Sequence, residues 1–201
     1  MRGQTIFVVL NGTPGSGKSK CLKALPALET GAVAVGYIQE VATSFLSTLS
    51  KCQLRERDPV LFQGIVASTQ LYVEQIVADT LARASPNRPT IIIGDRGFWD
   101  SLAYTTADAL AGLGMDIPPC EYDLCINLKS RYAGSAGNPF RTESEEEVAD
   151  LEAKTEAVWR ERASAFYEVG FCESIEEKVA AVASIINRHI CLEAFRATPL
   201  G

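Results

Sequence analysis

The sequence predicts an α/β fold in which a parallel five-stranded sheet is covered by helices on both faces. Short apolar runs alternate along the chain with longer segments of helical spacing. Each run is apolar throughout rather than at every second position, which indicates strands buried on both sides, as in a parallel sheet. The length of 201 residues suits one domain spanning 1–201.

The predicted strands are apolar runs that end in turns, and the fifth is the shortest. A glycine-rich turn follows the first run, and a turn with Gly94 follows the third. Ligands bind beyond the carboxyl ends of such strands, so the residues after each run are the candidates for function. The predicted strands cover 5–10, 32–38, 90–93, 122–128 and 169–172.

The predicted helices share apolar side chains three or four positions apart, and several carry start or stop signals. Ser144 with Glu147, and Ser174 with Glu177, have the spacing of a capping box. The predicted helices cover 19–28, 39–52, 60–84, 101–113, 144–168 and a last helix that ends near 191.

The turn after the first strand carries the pattern Gly-x-x-x-x-Gly-Lys-Ser, with a strand before it and a helix after it. Its glycines let the backbone curl so that N–H groups point inward, and the start of the helix adds partial positive charge there. We expect Lys18 to reach the phosphates of a nucleoside triphosphate and the Ser19 hydroxyl to ligate Mg²⁺. The phosphate-binding loop comprises Gly12, Thr13, Pro14, Gly15, Ser16, Gly17, Lys18 and Ser19.

Polar side chains follow the second and third strands. Asp95 either belongs to the Mg²⁺ shell or orients a nucleophile, and otherwise is a turn aspartate. Arg96 either pairs with a transferred or acceptor phosphate or is a solvated arginine. Asp100 either caps the next helix or holds an acceptor hydroxyl, with Tyr104 on the same helix face. Glu40 either contacts the acceptor or lies at a helix N-terminus.

A basic segment with glycine and proline follows the fourth strand, and we expect it to form a small lid over about 129–143. Lys129, Arg131 and Arg141 would then neutralise developing charge and exclude water, which favours transfer over hydrolysis. An ordinary surface loop with three cations is the alternative.

Composition excludes several classes of partner. The net charge is −6 with no basic block, so neither nucleic-acid polymers nor anionic membranes are expected partners. No apolar run approaches the roughly 18 residues of a membrane span, and no leader with an apolar core and cleavage site is visible. We therefore expect a cytoplasmic protein.

The six cysteines are scattered without a Cys-x-x-Cys pair, and several lie in apolar segments. We expect buried, reduced thiols. The single histidine, His189, excludes a histidine-rich zinc site and any mechanism that needs two histidines. We expect it at the surface or at a helix end.

Together these motifs resemble the AAA-domain group of small predicted ATPases and kinases, which contains the nicotinamide riboside kinase domain and is close to nucleoside and thymidylate kinases. The most telling match is Asp95-Arg96-Gly97-x-x-Asp100-x-x-Ala103-Tyr104, which is similar to the group's D-R-G-x-x-D-x-x-A-Y segment. Beside the phosphate loop, further matches are Glu40-Val41-Ala42, Phe62-Gln63 with Gln70 and Glu74, Tyr122-Asp123-Leu124, and Arg141-Thr142-Glu143.

The resemblance implies a three-layer P-loop NTPase fold like that of adenylate and thymidylate kinases, ATP and Mg²⁺ as cofactors, and phosphoryl transfer to a small acceptor. It also implies that Glu40, Asp95 and Asp100 face the acceptor and that Arg141 closes over the phosphates. The family's lid commonly reads Asp-Gly-x-Arg, whereas this chain reads Asn138-Pro139-Phe140-Arg141. That departure leaves the contacts of the lid and the identity of the acceptor open.

Two main functions follow. The first is an ATP- and Mg²⁺-dependent kinase of a small nucleoside-like or nucleotide-like metabolite, in which Asp95 or Glu40 positions the acceptor hydroxyl. The alternative is a regulatory ATPase or GTPase switch that acts on a protein or lipid partner. No Asn-Lys-x-Asp follows a strand, which argues against a guanine switch, and the short chain argues against a motor-type ATPase. The oligomeric state stays open.

Overall fold

The five strands of the described chain form one parallel sheet in the order β2-β3-β1-β4-β5. The computed structural model describes residues 5–13, 15–25, 33–48, 53–115, 121–130 and 145–196, with the backbone alone for 145 and 191–196. The predicted fold class, a parallel five-stranded α/β sheet of the P-loop NTPase type, is confirmed. The strands are β1 Thr5–Asn11, β2 Ala34–Ile38, β3 Thr90–Asp95, β4 Leu124–Leu128 and β5 Phe166–Val169.

Helices connect these strands, and none of those in the described ranges is both long and apolar enough to cross a membrane. The longest, α4, starts where sequence chemistry predicts: Pro59 occupies its first turn, and the Asp58 side chain accepts a hydrogen bond from the Leu61 N–H at 2.9 Å. The helices are α1 Lys18–Ala24, α2 Val41–Thr48, α3 Leu54–Arg57, α4 Pro59–Ala84, a 3₁₀ helix Phe98–Ala103, α5 Ala107–Gly112, α6 Glu145–Arg162 and α7 Ile175–Arg196.

Both faces of the sheet are covered, which explains why its strands are apolar throughout. Along β1, Ile6, Val8 and Leu10 face one core, which α1 and α7 complete. Phe7 and Val9 face the other core, which α4, the 3₁₀ helix and α6 complete. Side chains of a strand alternate between its faces, so two cores require an uninterrupted apolar run.

The prediction of one continuous helix over 101–113 is wrong. The structure has the 3₁₀ helix, a break, and then α5. The break follows from Thr106, whose hydroxyl accepts a hydrogen bond from the Ala109 N–H at 3.1 Å and so starts a new helix. Tyr104 lies at the end of the 3₁₀ helix instead of inside a regular α-helix.

The helix predicted to continue to 168 ends at Arg162, and β5 begins three residues before the predicted 169. The backbone N–H groups of Ser164 and Ala165 donate to the carbonyls of Tyr122 and Asp123 at 2.9 and 3.0 Å. These bonds draw the chain into the sheet, so tertiary pairing overrides the local helical pattern. The last helix, in contrast, extends past the predicted 191 to Arg196.

The placement predicted for His189 is wrong. Because α7 continues beyond it, His189 lies within the helix and is 7% exposed. It follows Val182 and Ile186 at helical spacing, and both are fully buried against the sheet. Cys21 and Cys125 are buried free thiols, as expected for most of the cysteines, whereas Cys172 is half-buried.

Strand order brings three predicted site segments to one edge of the sheet. β3 lies between β1 and β2, with Asp95 beside Leu10 and Gly94 beside Ile38. The phosphate loop follows β1, and Glu40 follows β2. Asp95 therefore stands between the phosphate loop and Glu40.

Candidate functional site

The phosphate loop adopts a backbone that requires glycine at two positions. Gly12 has φ of 135°, and a Cβ there would lie 2.3 Å from the Leu128 carbonyl oxygen of β4. Gly17 has φ of 96° and immediately precedes α1. A side chain at Gly12 would push the loop away from the sheet, and one at Gly17 would strain the turn into the helix. The glycines thus hold the start of α1 against the end of β1.

Lys18 is buried beneath the loop, with 6% of the residue exposed. Its ammonium donates to the carbonyls of Gly12 at 2.7 Å and Thr13 at 3.1 Å. An ammonium has three donors, so one remains for a phosphate oxygen. Burial lowers the pKa of Lys18 to about 8, because neutral carbonyls replace its hydration only in part. A bound phosphate would supply the missing negative charge.

Ser19 and Asp95 meet at the start of α1, where the Ser19 hydroxyl donates to Oδ2 of Asp95. The other oxygen of Asp95, Oδ1, is buried and has no hydrogen-bond partner among the described residues. Burial raises the pKa of Asp95, because an unpaired carboxylate lacks the hydration it has in water. A hydroxyl beside a carboxylate oxygen without a partner fits Mg²⁺, which prefers oxygen ligands.

Arg96 is buried between two carboxylates instead of being solvated. Its Nε donates to Glu40 at 2.8 Å, and its Nη1 donates to Asp100 at 2.9 Å. Although burial alone would raise it, the Arg96 guanidinium lowers the pKa of Glu40 to about 2. Arg96 also has φ of 75°, which is uncommon for a residue with a Cβ and turns the chain sharply after β3.

Asp100 performs the capping role that the sequence allowed, and more. Its Oδ2 accepts from the Gly97 N–H at 2.8 Å and from the Trp159 indole at 3.2 Å, while Oδ1 accepts from Arg96. Asp100 therefore fixes the turn after β3 and joins it to α6. Both oxygens of Asp100 therefore accept hydrogen bonds from the protein itself, and the residue also borders the first of two cavities.

Two cavities meet at Glu40. The first is bordered by Glu40, Arg96, Asp100 and Tyr104, whereas Asp95, which is also predicted to face the acceptor, borders the second cavity instead. The second is more polar and is bordered by Ser19, Asp95, Glu40 and Thr43. The wall of the first cavity is mainly apolar and includes Val41, Leu46, Phe62, Val66, Val148 and Leu151.

A buried acidic network behind the first cavity extends the site further than its motif suggests. Glu74 is 8% exposed and accepts hydrogen bonds from Gln70 at 2.7 Å and from the Tyr122 hydroxyl at 2.9 Å. Tyr122 in turn accepts from the Phe98 N–H at 2.8 Å, which links Glu74 to the turn after Asp95. Burial raises the pKa of Glu74 to about 7.

Lys178 was not a candidate from sequence, yet it contacts the phosphate loop. It lies on α7 and donates to the Ser16 carbonyl at 2.8 Å and to the Lys129 carbonyl at 2.9 Å. No local pattern could have found it, since its partners precede it by 162 and 49 positions.

Some of the predicted site residues lie outside the described part of the structure. Pro14 of the phosphate loop lies outside the described residues, as do Arg131, Arg141 and the remainder of the lid from 131 to 143. Lys129, at the base of that segment, is described: its ammonium pairs with Glu152 and Glu156 of α6 at 2.9 and 2.8 Å. The side chain of Lys129 is therefore held by α6.

Comparison with known families agrees with the geometry. A family model described as AAA domain matches residues 7–178, which is most of the chain and includes every described site residue above. Among curated proteins, the comparison finds no match.

Proposed function

The chain belongs to the AAA domain family, and we propose that within it the protein is an ATP- and Mg²⁺-dependent phosphotransferase that phosphorylates a small nucleoside-like or nucleotide-like metabolite. The family and the fold support P-loop nucleotide binding as the general function. The observation that carries the finer proposal is the position of Glu40, which borders both the polar cavity beside Ser19 and Asp95 and the mainly apolar cavity beside Arg96. A side chain at that junction can orient an acceptor hydroxyl toward a phosphoryl group.

The triphosphate would lie over the loop, with the phosphates facing backbone N–H groups and the start of α1. Lys18 would give its remaining donor to a phosphate oxygen. Ser19 and Asp95 would hold Mg²⁺, which neutralises charge on the phosphates when it is bound. The transition state of phosphoryl transfer is loose, so catalysis depends mostly on positioning and charge stabilisation.

Glu40 suits an orienting role better than that of a strong base. With a pKa of about 2 it is ionised at neutral pH and accepts hydrogen bonds, but it holds a proton weakly. Arg96 fixes Glu40 from the side of β3, so the carboxylate cannot turn away from the junction. The hydroxyl of the acceptor would donate to Glu40 and present its oxygen to the phosphate.

The mainly apolar wall of the first cavity favours a small acceptor with an apolar ring face, because such pockets gain affinity by removing that face from water. A net charge of −6 argues against nucleic-acid polymers and anionic membrane surfaces as acceptors. The partner we propose is therefore a small molecule of the cytoplasm.

The testing experiment measures ADP release from Mg-ATP with a panel of nucleosides, nucleotides and ribosyl metabolites. Lys18→Ala is run beside the wild type, and Lys20→Ala, an exposed lysine on the same helix, is the matched control. We expect one acceptor class to raise ADP release strongly, in the wild type and Lys20→Ala but not in Lys18→Ala. Slow release that no acceptor changes would contradict a metabolite kinase and favour a nucleotide switch with a protein or lipid partner.

A further inference from the structure

Lys178 joins three segments that are distant in sequence. It lies in the first turn of α7 and is 7% exposed. Its ammonium donates to the carbonyl of Ser16 in the phosphate loop and to that of Lys129, the residue after β4. Lys129 in turn donates its backbone N–H to the Val169 carbonyl of β5 at 2.9 Å. Burying an ammonium against carbonyl groups costs desolvation free energy, so the position of Lys178 beside the loop indicates a role there.

The planarity of the peptide bond shows how Lys178 orients the Gly17 N–H. None of the described peptide bonds is cis, so the carbonyl of Ser16 and the N–H of Gly17 point in opposite directions within their shared peptide plane. Because Lys178 holds that carbonyl toward α7, the Gly17 N–H points away from α7. In a phosphate-binding loop, backbone N–H groups that point into the concavity of the loop bind phosphate oxygens.

Glycine makes this orientation easy to lose. Gly17 has φ of 96° and lacks a side chain, so its own backbone has wide conformational freedom. The Ser16 hydroxyl is buried and has no partner in the described structure, so it does not hold the peptide in place. The stem of Lys178 passes Gly17 closely, with its Cδ 3.6 Å from the position a Cβ would take. Lys178 thus restrains the peptide before Gly17 from outside the motif.

We propose that Lys178 is a positioning residue for phosphate binding: it fixes the Ser16–Gly17 peptide so that the Gly17 N–H faces the phosphates, and it ties the loop to the end of β4. The inference rests on the proposed nucleotide binding but not on phosphoryl transfer or on any acceptor. Loss of one hydrogen bond to a charged ligand corresponds to about a tenfold to hundredfold loss of affinity.

The test compares Lys178→Met, which keeps the stem and removes the ammonium, with Lys154→Met on α6. Lys154 is exposed and pairs with Asp150, so its substitution changes net charge equally without touching the loop. Titration calorimetry measures dissociation constants of Mg-ATP, inorganic tripolyphosphate and adenosine for both variants and the wild type. Hydrogen exchange of the loop amides reports their order directly.

We expect Lys178→Met to weaken Mg-ATP and tripolyphosphate by the same factor, about tenfold or more, with adenosine and the melting temperature little changed. Exchange at 15–19 should quicken in the absence of ligand. Unchanged affinity in Lys178→Met, with normal binding in the wild type, would overturn this role and leave the proposed function intact. Equal weakening of adenosine, or loss of ATP without loss of tripolyphosphate, would overturn it too. A wild type that binds neither ATP nor tripolyphosphate would remove both.

If Lys178→Met does not fold, Lys178→Gln carries the same comparison. Its amide keeps a donor on a shorter side chain, which cannot span from Ser16 to Lys129 as the lysine does. We expect the same selective loss of phosphate-bearing ligands in this variant. Wild-type affinity for tripolyphosphate in a folded Lys178→Gln would contradict the proposal.

Discussion

The phosphate loop and the first cavity, which Arg96 borders, hold their cations in opposite ways. Lys18 and Lys178 donate to backbone carbonyls, whereas Arg96 lies between the carboxylates of Glu40 and Asp100. Carbonyls carry partial charge, so burial lowers the pKa of Lys18 to about 8. Burial would lower the pKa of Arg96, but the charges of Tyr104 and of the Asp100 and Glu40 carboxylates raise it.

This difference separates a binding site from a scaffold. The lysines at the loop donate to carbonyls, which compensate their positive charge only in part. The negative charge of a bound phosphate would compensate the remainder. The cavity neutralises its arginine internally, so Arg96 fixes Glu40 and the turn after β3 before any acceptor arrives. Burial of charge at the loop costs folding free energy, whereas charge at the first cavity is paired within the fold, so that removing one partner would leave the others uncompensated.

The largest expected effect comes from Arg96→Met, which removes the cation from the cavity side. The half-buried Glu40 and the buried Asp100 then lose their cation, and we expect the free energy of unfolding to fall by about 3–5 kcal/mol at pH 7. Arg83→Met, at an exposed position of α4, should lower the free energy of unfolding by less than about 1 kcal/mol. Urea unfolding measures both.

The sign of the pH dependence provides a second check on Arg96→Met. Glu40 has a lowered pKa in the folded wild type, so its contribution is present above its unfolded value of 4.5 and is lost as pH falls toward about 2. The difference in free energy of unfolding between the wild type and Arg96→Met should therefore become smaller as the pH is lowered from 7 to 3. A constant deficit, or a loss no larger than that of Arg83→Met, would show that Arg96 does not stabilise the fold through these carboxylates.

The same contrast explains which parts of the site were predictable. The phosphate loop is built from consecutive residues whose backbone does the binding, so Gly12 to Ser19 are readable from spacing alone. Asp95 and Glu40 were predictable because strand ends meet at one edge of a parallel sheet.

The partners of these residues were not predictable in the same way. Trp159 reaches Asp100 across 59 positions, and Lys178 reaches Ser16 across 162. Their contacts depend on how α6 and α7 pack, which no local pattern encodes. The buried position of His189 was missed for the same kind of reason, because the end of α7 could not be located from its periodicity.

A smaller effect is expected from Asp95→Asn, at the junction of the two regions. Asparagine can still accept a hydrogen bond from Ser19 but lacks the charge that, in the proposed function, would hold Mg²⁺. We expect ATP turnover to fall roughly a hundredfold, with a much smaller change in nucleotide affinity. Asp108→Asn, an exposed aspartate on α5, is the control. Turnover equal to that of wild type in Asp95→Asn would remove Asp95 from the site.

Glu74→Gln sharpens the comparison, since Glu74 is a buried carboxylate that accepts hydrogen bonds and has no ion-pair partner among the described residues. Burial raises its pKa from 4.5 to about 7, so the folded state binds more protons than the unfolded state between those values. Its contribution to stability is therefore present below pH 4.5 and is lost as pH rises toward 7. We expect the free energy of unfolding of Glu74→Gln to exceed that of the wild type at pH 8 by on the order of 2 kcal/mol and to equal it near pH 4.5.

Urea unfolding across this pH range measures the difference. Glu161→Gln, at a largely exposed position of α6, serves as the control and should follow the wild type at every pH. Stability curves of Glu74→Gln and wild type that run parallel from pH 4.5 to 8 would mean that Glu74 is not a neutral, buried acid in the folded protein.

The smallest expected effect tests the loop side of the comparison through pH alone. If carbonyls leave the Lys18 ammonium partly uncompensated, the free protein releases that proton near pH 8, whereas bound phosphates retain it. Affinity for Mg-ATP is then complete below pH 8 and declines above it, by about tenfold between pH 7 and pH 9. Calorimetry in Lys18→Arg, whose guanidinium stays charged, should show weaker but pH-independent binding. A wild-type affinity that is flat over this range would mean that carbonyls compensate the buried ammonium as well as carboxylates do, and the distinction between the two regions would not hold.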